Sequence, residues 1–117
     1  MRSSRLGART RALLADPENE LRLSTASAWE VVVKANLGKL AVVGGPATFL
    51  RTRLAKQQIV PLPIQFEHVL GVNALPNIHR DPFDRLIVAQ ALHEDLPLVT
   101  SDVTLEKYGI IVYDASR

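Results

Sequence analysis

The sequence contains no cysteine, which excludes a disulfide framework, thiolate chemistry and any zinc site built on cysteine. It also lacks an apolar run long enough to span a bilayer, so no segment reads as a membrane helix. Met1-Arg2-Ser3-Ser4-Arg5 is basic but is followed by no apolar segment, so it does not read as a secretory signal and a cytoplasmic location is expected. Repeats and low-complexity stretches are missing as well. Charge of one sign is nearly missing too: 14 basic residues face 12 acidic ones, a net charge of +2. That surplus permits nucleic-acid binding without requiring it. Arg2, Arg5, Arg9, Arg11, Arg22 and Arg51 fall in the first half of the chain, either as one phosphate-holding face or as scattered solvated charge. What remains is ordinary globular composition, 47% hydrophobic and 22% charged. The 117 residues suffice for one domain, residues 1–117, burying roughly two-thirds of its unfolded surface.

The most informative stretch is His79 to Ala91, HRDPFDRLIVAQA. Asp81 can serve as N-cap, Pro82 fits the first helical position and Asp84 falls in the first turn. Phe83, Leu86, Ile87 and Ala91 follow at helical spacing and predict a buried stripe. Elsewhere, Arg9–Ala15 reads as a helix ended by Asp16-Pro17, and Leu21–Ser24 as a short strand. Ser27-Ala28-Trp29-Glu30 has the S-x-x-E form of a capping box and opens a helix running to Leu37 and stopping at Gly38, with Trp29 expected in the core. Ala47–Gln58 reads as an amphipathic helix. Ile59–Ile64 is a strand whose two prolines suit a sheet edge. Gln65–Leu70 gives a further helical turn or two. Strands at Leu96–Thr100 and Ile110–Tyr113 flank a short helix or turn from Asp102 to Lys107. Alternating strands and helices predict an α/β fold with a mostly parallel sheet.

Glu30, Asp84 and Asp102 fall at strand ends or helix starts, where the crevice of an open α/β sheet lies. Carboxylates brought together there repel unless a cation neutralises them, and oxygen-only ligation selects Mg²⁺ or Mn²⁺. Such a site suits phosphodiester hydrolysis. Each acid has a plainer reading beside this one. Glu30 can be the capping partner of Ser27, Asp84 a first-turn acid favoured by the helix dipole, Asp81 an N-cap alone, and Asp102 a cap for the short helix after it. His68, His79 and His93 share no metal-ligand spacing and read as surface or packing residues, although His79 is near enough to Asp81 to touch a site.

Three blocks, STASAWEVVVKANLGKL, HRDPFDRLIVAQAL and LPLVTSDVTLEKYGI, together resemble the PIN-domain toxins of the VapC type. The resemblance runs from about Arg9 to the C-terminus. It implies a PIN-like three-layer α/β/α fold and a Mg²⁺-dependent ribonuclease site of about four acids. It also implies an RNA substrate, inhibition by a small cognate antitoxin, and a homodimer or higher oligomer. In that resemblance Glu30 stands at the family's second acid, Asp84 at the third and Asp102 at the fourth, with Asp81 assisting. The family opens with an apolar central strand ending in Asp-Thr, and Met1–Gly7 supplies neither the run nor the aspartate. The expectation is therefore a sheet without its first central strand and slow or absent cleavage. The competing expectation is a non-catalytic remnant that binds an antitoxin or a sister subunit.

Overall fold

The computed structural model describes residues 8–115. The expectation about Met1–Gly7 lies outside the described residues. Among the described residues four short strands are interspersed with five α-helices, which is the α/β class expected from the sequence. The chain divides into two units, Glu20–Ile64 and the remainder.

The Glu20–Ile64 unit begins with β1 (Arg22–Ser24), runs through α2 (Thr25–Asn36) and α3 (Pro46–Gln57), and returns in β2 (Val60–Leu62). The two strands pair in parallel, with Leu23 opposite Pro61. A parallel pair needs a crossover, and the two helices supply it. In a two-stranded ladder both strands are edges, so the missing N–H of Pro61 leaves only one edge position without a donor. Thr25 at the start of α2 accepts the Ile64 N–H on its side-chain hydroxyl.

One reading of this unit needs correction. α2 begins at Thr25, and its N-cap is Ser24, whose hydroxyl accepts the Ala26 N–H at 3.1 Å. Ser27 thus lies inside the helix, and Glu30 pairs with Lys34 at 2.9 Å instead of closing a capping box. Trp29, expected in the core, is 59% exposed. The fully buried residue of α2 is Ala26, and Trp29 does not join it inside.

The second unit holds α1 (Ala8–Ala15), α4 (Phe66–Asn73), α5 (Pro82–Glu94), β3 (Leu98–Thr100), a 3-10 helix (Val103–Tyr108) and β4 (Val112–Asp114). β3 and β4 also pair in parallel, with Val99 opposite Tyr113. Among the described residues the strands pair in two two-stranded ladders, both of them parallel, the pairing expected from the sequence. Each strand is only three residues long, so each offers few ladder hydrogen bonds.

α5 starts as its sequence dictates. Asp81 accepts the Phe83 N–H at 2.9 Å, and Pro82 takes the first position. Val88 from this helix, with Leu105 and Tyr108 from the 3-10 helix, makes the buried cluster, flanked by Leu75, Leu98, Ile110 and Val112. α4 packs along α5, and a Cβ at Gly71 would stand 3.6 Å from the Ala89 methyl, an ordinary packing distance. α1 is tied to β4 by the Thr10 hydroxyl, which donates to the Asp114 carbonyl at 2.7 Å. Gly109, at φ +89°, ends the 3-10 helix in a conformation that a β-carbon would strain.

The corrected cap can be checked by denaturant unfolding. Ser24→Ala is expected to cost about 1 kcal/mol, whereas Ser27→Ala should stay within about 0.5 kcal/mol of wild type. The reverse order would restore the capping box at Ser27.

Candidate metal centre

The site is built on the loop before α5, on the first turn of α5 and on the turn after β3. The loop contains Pro76 and is held by side chains because it has few backbone bonds of its own. The Tyr108 hydroxyl accepts the His79 N–H at 2.8 Å. The Arg85 guanidinium donates to the carbonyls of Pro76 at 3.0 Å, His79 at 3.2 Å and Val72 at 3.3 Å. One Tyr108 phenol and one Arg85 fork therefore hold the loop against α5 and the buried cluster.

That frame aims the His79 ring at two carboxylates. Its Nε2 lies 2.9 Å from Asp102 Oδ2 and 3.6 Å from Asp84 Oδ2. Ligand atoms of His79, Asp84 and Asp102 all fall within 4.8 Å of one another. All three side chains are partly exposed. Asp84 reaches this point because it sits in the first turn of α5, and Asp102 because it caps the 3-10 helix through the Thr104 N–H at 3.1 Å. The Thr104 hydroxyl also donates to Asp102. The Thr104 hydroxyl bond above all, with the bonds from His79 and the Thr104 N–H, holds the Asp102 carboxyl below its ordinary value of 3.8 against the opposing effect of burial.

Asp81 faces a different task. Its Oδ1 is committed to the N-cap bond, and its N–H approaches His79 Nδ1 at 3.3 Å. Glu30 lies on α2 in the Glu20–Ile64 unit, in its ion pair with Lys34. Of the four acids singled out from sequence, Asp84 and Asp102 are thus brought together within one unit. His79 and Arg85 were the residues underestimated. His79 stands two positions before the N-cap, a local hint, but its carboxylate partner is 23 residues away and gives no local signal.

The paired carboxylates fit a hard divalent cation such as Mg²⁺ or Mn²⁺, because they offer converging oxygens with access from solvent.

A second group, His68, His93 and Glu94, also brings its ligand atoms within 4.8 Å. Here the hydrogen bonding decides against a metal. The Gln65 N–H donates to His68 Nδ1 at 3.0 Å, so in the neutral ring the proton sits on Nε2, which donates to Glu94 at 2.8 Å. Ligation through Nε2 would move the proton to Nδ1 and break the capping bond of α4. A metal-bound histidine instead donates from its other nitrogen. His68 is fully buried and ties the start of α4 to the end of α5.

Glu94 offers a test of that link. Hydrogen bonds from His68 and then His93 hold its carboxyl below the ordinary 4.5. A carboxylate with a lowered folded-state value adds stability above its unfolded value, and this is lost as pH falls through the folded one. Stability measured below pH 4.5 should therefore fall more steeply for wild type than for Glu94→Gln. Parallel acid limbs would show that the pair carries no such linkage.

With this geometry in place, comparison with known proteins is informative. The PIN domain family matches residues 1–111. Ribonuclease VapC16 of Mycobacterium tuberculosis (strain ATCC 25618 / H37Rv) is 36% identical over 59 residues, covering 50% of this chain and 42% of that protein. The match spans less than half the length of that relative.

Proposed function

Because the chain belongs to the PIN-domain family, we propose that it is a VapC-type ribonuclease that hydrolyses RNA with Mg²⁺ or Mn²⁺ and is inhibited by a cognate antitoxin in the cytoplasm. The observation that carries this reading is the convergence of Asp84 and Asp102 beside His79. In this reading both aspartates hold the ion, Glu30 contributes a further carboxylate, and Asp81 assists from the N-cap. Support for Glu30 comes from the resemblance of its S-x-W-E block to the family pattern. Both units then form one PIN domain. A bound divalent ion supplies Lewis acidity at a phosphoryl oxygen and a more acidic attacking water. The chain's own groups do the rest: Asp84 and Asp102 fix the ion's place, and basic side chains grip the RNA backbone.

A second reading, a non-catalytic protein that binds an antitoxin or a sister subunit, is favoured by a separate observation. Trp29, Leu37, Leu40 and Val43, all in the Glu20–Ile64 unit, are exposed, and exposed apolar side chains supply protein-binding surfaces where they adjoin. The two readings part on catalysis, and a homodimer or higher oligomer would use the same kind of surface. No helix among the described residues is long and apolar enough to cross a membrane.

The test is cleavage of a structured RNA by the whole chain with Mg²⁺ and with chelator. Cleavage should require the metal, and Asp84→Asn should lower its rate on the order of a hundredfold or more through loss of ion placement. Metal-independent cleavage, or an unchanged rate in Asp84→Asn, would overturn the ribonuclease reading. Tight antitoxin binding with no cleavage under any condition would select the second reading.

A further inference from the structure

We propose that His79 is a positioning residue: a hydrogen-bond donor that fixes the Asp102 carboxylate beside Asp84, and not a ligand of the metal. The proposal deepens the metal-dependent reading and rests on it for its second half. Proximity alone would make His79 a third ligand, since its Nε2 stands with the two carboxylates. The bonds around the ring argue otherwise. The Asp81 N–H points at Nδ1 at 3.3 Å, and a backbone N–H can only donate. Nδ1 is therefore the acceptor, and Nε2 carries the proton of the neutral ring. That proton meets Asp102 Oδ2 at 2.9 Å. Ligation through Nε2 would require the opposite tautomer, with Nδ1–H facing the Asp81 N–H.

The ring is held at both nitrogens, by the Asp81 N–H and by Asp102, on a backbone that is itself anchored. The His79 N–H is held by the Tyr108 hydroxyl and its carbonyl by Arg85, so the backbone on both sides of the ring is anchored. Asp102 is constrained in turn. Its Oδ1 accepts the Thr104 N–H and hydroxyl, and its Oδ2 accepts His79. A carboxylate has about four acceptor directions. Three are taken, and the one left belongs to Oδ2, the oxygen that faces the same His79 Nε2 as Asp84 Oδ2 does. Thr104 and His79 between them thus leave Asp102 one oxygen to offer, already oriented. A site with only carboxylate donors then favours Mg²⁺ or Mn²⁺, where an imidazole ligand would shift preference toward zinc or nickel.

Two measurements on the whole chain test this. The first needs no metal: long-range ¹H–¹⁵N spectra should show His79 as the Nε2–H tautomer at neutral pH, with its Nε2 signal moved by Asp102→Asn. An Nδ1–H tautomer would overturn the proposal whether or not the protein binds metal. The second is Mn²⁺ binding, followed by calorimetry and by pulsed electron paramagnetic resonance. Removal of such an orienting partner typically costs about 10- to 100-fold in metal affinity. His79→Ala should show a loss in that range, and His79→Gln, which keeps an N–H at similar reach, should recover most of it. Wild-type Mn²⁺ should show no coupling to a directly bound nitrogen. Nitrogen coupling lost in both variants would make His79 a ligand, and unchanged affinity in His79→Ala would make it a bystander. Failure of wild type to bind Mn²⁺ would instead overturn the metal-dependent function, with the tautomer spectrum still deciding the role of His79.

Discussion

The loop from Leu75 to Arg80 depends on hydrogen bonds donated to it and accepted from it by two side chains, Arg85 and Tyr108. Three carbonyls of the segment between Val72 and His79 receive the Arg85 guanidinium, and the His79 N–H ends on the Tyr108 phenol. Tyr108 is in turn part of the buried cluster with Val88 and Leu105. Packing in the core is thereby coupled to the aim of an imidazole at the surface. An arginine fork with planar, divergent donors can hold several carbonyls at once, which a lysine cannot do. The cost is that Arg85 is committed to the frame and unavailable as a phosphate-binding cation.

The two histidine clusters show how hydrogen-bond direction separates neighbours of similar composition. Both rings accept a backbone N–H on Nδ1 and present Nε2 to a carboxylate. Around His68 that arrangement caps α4 and joins it to α5. Around His79 it orients Asp102 next to Asp84. The difference in role comes from the second aspartate and from the rings themselves, since His68 is fully buried and His79 is partly exposed.

α5 was readable because every signal that starts it lies within a few residues: Asp81 as cap, Pro82 at the first turn, Asp84 beside the dipole. The start of α2 was misread because S-x-x-E is a local pattern that Ser27 and Glu30 satisfy, while Ser24 wins through its place at the end of β1. The exposure of Trp29 is set by how α2 packs and could not be read from hydrophobicity. Asp84 and Asp102 could be nominated from their positions at element junctions, and the family pattern sharpened both. The part of His79 was hidden because its partners Asp102 and Tyr108 are distant in sequence and are set by the fold.

We propose that the carboxylates of Asp84 and Asp102, arranged by this frame, are where a divalent ion binds. Anomalous diffraction from crystals of the whole chain soaked in Mn²⁺ tests it most directly. A peak is expected about 2.1 Å from an oxygen of each aspartate, with the His79 nitrogen outside the coordination sphere and no peak at His68, His93 and Glu94. A peak at His68, His93 and Glu94, or none near Asp84 and Asp102 in Mn²⁺-soaked crystals, would contradict the proposal.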